Sequence, residues 1–375
     1  MIKRKLNLVS KFVMILMMLA GLSFNGCSKT SPTQAEREKR ILNSPQFRDG
    51  EFVNPIDVPM MAEGKTWDYI KRQFFASRVD PEPAGELPVK PINSEDWQNL
   101  DNGQLNFAWL GHSSILIAVD GKTILVDPVL EKRASPFSWV GPKRFHPTPV
   151  TAENLPPIDV VLITHDHYDH LEEPTIKMLG TKNTVFVVPL GIGEVIEGWG
   201  ISPSQIKELD WWEAYELDTL SITATPALHY ARRGVFDGNE RLWCSFSIHG
   251  QSEKIFISGD SGYYDGFRQI GRKLGPFDLT FLKIGSYDET WKQIHMTAEE
   301  AVQQHQDVGG NILIPLHWAT FDLGLHPWYE PIDRMMAAAG KKGVKYLTPE
   351  IGQQIDFEAL PKTTLWWQRF VNSRD

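Results

Sequence analysis

The chain has 375 residues, of which 42% are hydrophobic and 23% are charged, a composition typical of a globular protein with one large domain or two smaller ones. Its formal net charge of −9 argues against a nucleic-acid partner, because such binding depends on Lys and Arg contacts to phosphate. The sequence contains no low-complexity, collagen-like or coiled-coil tract.

The amino terminus has the pattern of an export signal. A basic start is followed by eleven apolar residues, Phe12–Leu22, which is the length of a signal-peptide core and too short to cross a bilayer comfortably. Gly26 then precedes Cys27, as in lipoproteins whose cysteine is acylated after cleavage. We therefore expect a signal peptide over residues 1–26 and a lipid anchor at Cys27 that holds the protein on a membrane surface of a bacterial cell envelope. The alternatives are a plainly secreted protein and an uncleaved anchor.

Residues 27–104 carry weaker signals. Residues 27–47 are polar and lack periodicity, so we expect a tether. Residues 48–104 are rich in Pro and Gly, with one helix predicted at about 66–77, and we expect an extension packed on the main domain. The second cysteine, Cys244, lies in an alternating strand pattern that predicts a buried, unreactive thiol. If Cys27 is acylated, no disulfide can form.

From Leu105 onward the chain reads as one domain, predicted to cover 105–358 and to be followed by a tail over 359–375. Its first half has apolar strands and one helix, in the order 105–111, 114–119, 122–128, 159–165, helix 172–179 and 184–190. Its second half has strands at 220–229, 242–250, 254–260, 279–285, 311–318 and 344–349, with helices at about 265–274, 297–307 and 330–340. Strands precede helices in each half, which predicts an α/β sandwich of two packed β-sheets with outer helices.

Four of these apolar strands finish on a side chain that can bind a metal: His165, His229, Asp260 and His317. Loops at the carboxyl ends of strands are where α/β proteins place ligands and chemistry. Four such endings in one chain predict a single site at one edge of the sheets.

The segment 165–170 carries the densest group of candidate ligands. Alternate residues of an extended segment point the same way, so His165 and His167 can reach one cation. Asp169 and His170 follow after a turn and can reach a second. With the three distant strand ends there are five His and two Asp ligands, which satisfy two four-coordinate metals only if one carboxylate bridges. Imidazole and carboxylate without thiolate favour two Zn(II), with Fe, Mn or Co as alternatives.

The motif H-x-H-x-D-H and the later His, Asp and His strand ends resemble the metallo-β-lactamase superfamily. Longer runs, such as "WLGHSS", "GPKRF", "PPIDVVLITHDHYDHL" and "LHWATF", resemble its N-acyl-phosphatidylethanolamine-hydrolysing phospholipase D branch and bacterial relatives over about residues 48–355. The resemblance implies the αβ/βα four-layer sandwich of that superfamily. It also implies two metals bridged by Asp260, the first held by His165, His167 and His229 and the second by Asp169, His170 and His317.

The same resemblance places further side chains near the metals. Asp127 would orient the ligand segment through hydrogen bonds, the alternative being a turn cap before Pro128. His112 would lie near the site or be only structural. His295 would face the cleft as a catalytic or phosphate-contacting residue, or else cap a helix at the surface. Ile294 stands where the mammalian enzyme has Gln, which puts one polar contact to the substrate head group in doubt.

The activity that the resemblance implies is hydrolysis of a phospholipid between phosphorus and the head-group oxygen by a metal-bound hydroxide, giving phosphatidic acid and an N-acylethanolamine. Asp260 and Asp169 would hold the metals and orient the hydroxide, and His295 would stabilise the phosphoryl oxygens. Two alternatives stay open. One is a hydrolase of the same fold acting on a lactone, a β-lactam or another small ester or amide, and the other is a non-catalytic metal-binding envelope lipoprotein.

Overall fold

The computed structural model describes residues 32–59, 71–72, 78–100 and 103–371. The predicted signal peptide, Cys27 and most of the helix predicted at about 66–77 lie outside these residues. Across the part of the chain that is described, no helix combines the length and the apolar character needed to cross a bilayer.

Two seven-stranded sheets form the centre of the molecule, preceded by a small hairpin of β1 (Phe47–Arg48) and β2 (Glu51–Phe52). The strands of the first sheet are β3 (Asn106–Gly111), β4 (Ser114–Val119), β5 (Lys122–Val126), β6 (Val160–Leu162), β7 (Val185–Pro189), β8 (Ile206–Leu209) and β16 (Gln354–Asp356). Those of the second sheet are β9 (Ala214–Leu217), β10 (Leu220–Thr225), β11 (Ser245–His249), β12 (Lys254–Ile257), β13 (Phe277–Lys283), β14 (Gly310–Leu316) and β15 (Lys345–Tyr346).

Each sheet passes from antiparallel pairs into parallel ones. The first runs β16-β3-β4-β5-β6-β7-β8 and is parallel from β5 onward, while the second runs β15-β14-β13-β12-β11-β10-β9 and is parallel from β12 to β15. Because β10 and β12 are both antiparallel to β11, they point the same way. The same holds for β3 and β5 on either side of β4. The loops that carry the predicted ligands therefore leave each sheet at its carboxyl edge.

The helices pack on the outer faces of the sheets. They are α1 (Pro32–Asn43), α2 (Ser94–Gln98), α3 (Glu173–Gly180), α4 (Ile192–Gly198), α5 (Gly266–Leu274), α6 (Ala298–Val308) and α7 (Glu330–Lys342). Along β6, Val160 and Leu162 face the core between the sheets, whereas Val161 packs with the α3 and α4 side chains. This period of two is what a strand covered on both faces requires. The predicted α/β sandwich is confirmed.

The four helices predicted within the domain begin and end within two residues of their predicted bounds. A capping box begins α6, where the Glu300 amide donates to Thr297 Oγ1 at 3.3 Å and the Thr297 amide donates to Glu300 Oε2 at 2.8 Å. Helix α4 and strands β8 and β9 were not predicted, because these short elements lack a clear apolar period.

The segment 27–47, which was expected to be a tether, contains a helix in the structure, since α1 occupies residues 32–43. Arg37 anchors this helix, with its guanidinium 2.5 Å from Glu208 Oε2 and 3.0 Å from Glu197 Oε2. The Arg37 side chain is only 5% exposed. Ion pairs between residues so far apart in the chain leave no local pattern, so the polar sequence indicated a tether instead.

The carboxyl-terminal tail also belongs to the core. Trp366 and Trp367 are buried in the cluster between the sheets, and the Trp367 ring lies 5.3 Å from that of Trp318. The Trp367 indole N–H donates to Asp333 Oδ1 at 3.2 Å. Because Trp318 directly follows the candidate ligand His317, the tail braces one side of the site.

Replacing Trp367 with Ala should lower the free energy of unfolding by about 3–5 kcal/mol, because the change leaves a cavity and an unpaired Asp333 oxygen. Urea denaturation measures this change. Leu365→Ala is the control, since Leu365 is 43% exposed and its truncation should cost less than about 0.5 kcal/mol. Equal effects of the two substitutions would contradict a core role for the tail.

Candidate metal centre

The seven residues predicted to bind metal converge at the carboxyl edge of the sheets, together with His112 and His295. The four strands that lead to His165, His229, Asp260 and His317 end one to four residues earlier than predicted. Strand β14 ends directly before His317. Strand β10 ends at Thr225, ahead of Pro226, which lacks a backbone N–H donor. In each of four overlapping groups, the ligand atoms lie within 4.8 Å of one another. The groups are His165, His167 and His229; His112, Asp169, His170 and His317; His165, His170 and Asp260; and His229, Asp260 and His295.

Three imidazoles form the first group. His167 Nδ1 lies 2.9 Å from His165 Nε2 and 3.3 Å from His229 Nε2. His229 Nδ1 lies 3.1 Å from the Ile294 carbonyl oxygen, so an Nδ1–H donor there leaves the Nε2 lone pair directed at the group. Ile294 contributes through its backbone, and this contact does not depend on its side chain.

The second group gathers around Asp169. His112 Nε2 lies 3.0 Å from Asp169 Oδ2, while His317 Nε2 lies 3.6 Å and His170 Nε2 3.8 Å from the same oxygen. His112 therefore contacts the second ligand group through Asp169, near the site as the resemblance implied. Its amide donates to Thr320 Oγ1 at 2.7 Å and its carbonyl accepts from the His317 amide at 2.9 Å, which ties the loops after β3 and β14 together.

Asp260 lies between the two groups. Its Oδ1 is 3.4 Å from His170 Nε2, and its Oδ2 is 3.2 Å from His317 Nε2. It shares one of the four groups with His165 and another with His229, and both of these histidines belong to the first group. His295 adds a further imidazole, with its Nδ1 3.7 Å from Asp260 Oδ2. This is the position that a bridging carboxylate requires.

Asp127 holds the ligand segment in place through hydrogen bonds. It is buried and accepts three hydrogen bonds, from the Thr164 amide at 2.8 Å, from Thr164 Oγ1 at 2.7 Å and from His170 Nδ1 at 2.7 Å. The bond to Nδ1 fixes the His170 tautomer and leaves Nε2 facing Asp260. The contacts match the orienting role expected of Asp127.

Left-handed backbone conformations aim several of these side chains. His112, Asp127 and His317 have φ values of 53°, 40° and 66°, a region that non-glycine residues adopt at a cost. Gly259, just before Asp260, has φ 56°, and an added Cβ would lie 2.9 Å from the Cys244 carbonyl oxygen. Three such residues at the site indicate that the surrounding sheets hold it in place.

The donor atoms fit a cation. Among the described residues, six buried atoms of this cluster have no hydrogen-bond partner: His167 Nε2, His170 Nε2, Asp260 Oδ1, His295 Nδ1, and both Nδ1 and Nε2 of His317. An unpaired buried polar atom is costly, and six in one place point to a common partner. Nitrogen and carboxylate oxygen donors without sulfur suit zinc and the other first-row divalent cations.

The protonation states also favour metal binding. Burial and the neighbouring imidazoles hold the pKa values of His165 and His229 well below the ordinary value, and burial lowers the pKa of His112 to about 3. Burial would raise the pKa of Asp260, but His317 and His170 hold it well below its usual range. At neutral pH His112, His165 and His229 therefore offer imidazole lone pairs and Asp260 an ionised carboxylate. Burial would lower the pKa of His170, but Asp260 and Asp127 hold it well above its ordinary value, so a metal bound there would displace a proton.

Other residues of the ligand segment serve the structure. Asp166 is buried and accepts from the Arg232 amide at 2.9 Å and from Arg241 Nε at 2.6 Å. Tyr168 stacks under the Arg233 guanidinium at 4.1 Å and donates to the Arg233 carbonyl at 3.1 Å. Cys244 is buried, as expected, and burial raises the pKa of its thiol well above the ordinary value.

Sequence reasoning missed Lys283, a fully buried lysine at the end of β13. Its ammonium donates to the Gly285 carbonyl at 2.6 Å, and burial lowers its pKa to about 8 although Asp260 raises it. Burial, followed by the Lys283 charge, lowers the pKa of His295 well below its ordinary value. The one available signal was a charged residue inside the apolar run "LTFLKIG", which was interpreted as an ordinary strand.

Comparison with known proteins agrees with this geometry. Residues 122–318 match the Beta-lactamase superfamily domain. An uncharacterised protein of Mycobacterium bovis is 40% identical over 335 residues, which are 87% of this chain and 88% of that protein. The N-acyl-phosphatidylethanolamine-hydrolyzing phospholipase D 1 of Caenorhabditis elegans is 36% identical over 71% of this chain and 79% of its own length.

A solved metallo hydrolase from Ignicoccus hospitalis aligns with a TM-score of 0.54 at 21% identity, over 68% of this chain and all of that chain. The protein belongs to the metallo-β-lactamase superfamily and is a metal-dependent hydrolase. Within the superfamily it belongs to the branch that contains the N-acyl-phosphatidylethanolamine-hydrolysing phospholipases D.

Asp127→Asn should weaken metal binding about 10- to 100-fold, because an amide cannot accept all three hydrogen bonds and leaves His170 misoriented. Competition with a chromogenic chelator measures the affinity. Asp159→Asn is a matched control, since Asp159 accepts a backbone bond from Thr123 at the opposite edge of the same sheet. Equal affinities of wild type and Asp127→Asn would contradict the orienting role.

The lowered pKa of Lys283 predicts that the free energy of unfolding depends on pH. Between its folded pKa of about 8 and its ordinary value of 10.5, the unfolded chain holds a proton that the folded chain has released, so stability from this group rises with pH. Relative to Lys283→Met, the wild-type free energy of unfolding should therefore rise by up to about 3 kcal/mol across that window. Urea denaturation of both proteins at several pH values tests this, and parallel curves would contradict it.

Proposed function

We propose that the protein is a binuclear metal-dependent phosphodiesterase that hydrolyses phospholipids, as its Caenorhabditis elegans relative is named for doing. The position of Asp260 carries the proposal, because this carboxylate contacts His170 and His317 of the second ligand group and lies within 4.8 Å of donor atoms of His165 and His229 in the first. A site for one metal would need no such carboxylate, and two adjacent cations are the usual device for displacement at phosphorus.

The ligand sets follow from the two groups. His165, His167 and His229 would hold the first cation, and Asp169, His170 and His317 the second, with Asp260 shared. Two Zn(II) suit these donors, with Fe, Mn or Co as alternatives. Such cations supply Lewis acidity, which makes water nucleophilic near neutral pH and offsets the charge that develops on the phosphoryl oxygens.

The chain's own residues provide charge and orientation. Asp260 and Asp169 are held ionised, so each can accept a hydrogen bond from the attacking water and aim it at phosphorus. His295 has an unpaired Nδ1 directed at the same space, where it can donate to a phosphoryl oxygen. Lys283 adds a buried positive charge behind Asp260, which favours an anionic substrate.

We also propose that Cys27 is acylated and that the protein is an anchored lipoprotein of a bacterial cell envelope. The export signal, the Gly26–Cys27 pair and the polar residues that follow support this. An anchor would keep the enzyme beside phospholipid. A non-catalytic binding protein is disfavoured, because such a protein has no need to keep seven converging ligands and ionised carboxylates.

Turnover on four substrates tests the proposed function: N-acyl phosphatidylethanolamine, a simple phosphodiester, a lactone and a β-lactam. We expect phosphatidic acid and N-acylethanolamine from the first substrate, and close to two metal ions per chain by elemental analysis. Faster hydrolysis of the lactone or the β-lactam would overturn the phosphodiesterase proposal and leave a hydrolase of the same fold.

Asp260→Asn should reduce kcat/KM more than about a hundredfold without loss of the fold, because the amide cannot serve both cations. Asp265→Asn is the control, since its side chain is 84% exposed at the start of α5. Metal content measured on the same samples separates lost binding from lost chemistry. Retained turnover in Asp260→Asn would refute the bridging role.

A further inference from the structure

A short hairpin over residues 132–144 stands beside the metal centre. Its stem is held by backbone bonds from Arg144 to the Lys132 carbonyl at 3.0 Å and from Ala134 to the Pro142 carbonyl at 3.2 Å. Gly141 closes the turn at φ 101°, where an added Cβ would lie 2.6 Å from Ser135 Cβ. We call this element the 132–144 hairpin.

The base of the hairpin rests on the ligands. The Arg144 guanidinium lies 5.1 Å from the centre of the Phe321 ring, which is itself 5.2 Å from the ring of His112. Directly after the stem, the Phe145 amide donates to the Thr320 carbonyl at 2.9 Å. One layer of side chains therefore separates the hairpin from the second ligand group.

The tip of the hairpin exposes two aromatic rings. Trp139 is 62% exposed and Phe137 is 40% exposed, with their ring centres 5.9 Å apart. Large aromatic side chains are usually buried, and two adjacent exposed rings at the end of a projecting turn point to a surface that covers them. Tryptophan prefers the boundary between water and the lipid head groups.

The stem of the hairpin is basic. Lys132 and Lys143 are exposed and Arg133 is half-buried, against one exposed acid, Glu131. Among the described residues, neither lysine forms an ion pair, although the chain as a whole has a net charge of −9. Lysines below a pair of aromatic rings match the phosphate layer of an anionic bilayer, which lies just outside the depth that the rings prefer.

We propose that the 132–144 hairpin is a membrane-contact element that inserts Phe137 and Trp139 into the head-group region of an anionic phospholipid bilayer. Lys132 and Lys143 then pair with lipid phosphates. This deepens the proposed function and rests on it for its biological sense, because the hairpin would present the metal centre to lipid in the membrane. The binding itself requires no hydrolysis.

A local measurement tests the contact. The full chain carrying Cys27→Ser, which removes the candidate acylation site, is mixed with vesicles of phosphatidylcholine and phosphatidylglycerol. Hydrogen exchange should slow at residues 132–144 and not at the amino-terminal ends of β14 and β15, which lie at the opposite edge of the second sheet from the site. Vesicles of phosphatidylcholine alone should give weaker protection, because the electrostatic attraction between the lysines and anionic lipid is absent. Unchanged exchange of the hairpin with the anionic vesicles would overturn the proposal.

Matched variants test the side chains in the same Cys27→Ser background. Phe137→Ser/Trp139→Ser should reduce partitioning into the mixed vesicles about tenfold or more, whereas Leu42→Ser, which removes a 64% exposed apolar side chain elsewhere, should not. Lys132→Glu/Lys143→Glu should reduce binding to anionic vesicles and its salt dependence. Lys341→Glu/Lys345→Glu, two exposed lysines near the opposite edge of the second sheet, is the charge control.

Three outcomes of these variant measurements would overturn the hairpin proposal. They are equal losses of vesicle partitioning in test and control variants, no loss of partitioning in the test variants, and a wild-type dimer that Phe137→Ser/Trp139→Ser dissociates. Such a dimer would assign the tip to a second copy of the chain. Partitioning is measured with Asp260→Asn protein, so failure of the phosphodiesterase proposal is scored separately. Protection of the hairpin without turnover would refute only the proposed chemistry.

Discussion

Buried imidazoles and carboxylates have to be satisfied by one another or by a cation, and the carboxyl edge of both sheets is built around that requirement. Asp260 lies between His170 and His317 and is held ionised, while several nearby ring nitrogens have no hydrogen-bond partner among the described residues. Ring nitrogens and an ionised carboxylate are donors that suit divalent metal ions.

The support beneath the cluster explains how it stays in place without its own regular secondary structure. Asp127 takes three hydrogen bonds from two residues of the ligand segment, and the loops after β3 and β14 are joined through His112 and His317. Several of these residues adopt left-handed backbone conformations, whose cost the flanking strands offset. Rigidity of the sheets is thus converted into fixed positions for the donor atoms.

Peripheral elements serve the same edge of the sheets. The tail packs Trp367 on Trp318 beside His317, and the 132–144 hairpin stands on Phe321 beside His112. Lys283 lies behind Asp260 with its charge buried. An anionic substrate approaching this edge would therefore meet the basic stem of the 132–144 hairpin and the buried charge of Lys283, although the chain as a whole is acidic.

By itself the sequence determined the two-sheet sandwich, the main helices and the seven candidate ligands, because apolar periodicity and strand-end residues are local patterns that need no knowledge of contacts. Only the tertiary structure placed Asp260 between the ligand groups, drew His112 into contact with Asp169 and revealed Lys283, α1 and the buried tail. Those features depend on contacts between residues far apart in the chain, such as Arg37 with Glu208, and a distance across the fold leaves no mark in a local pattern.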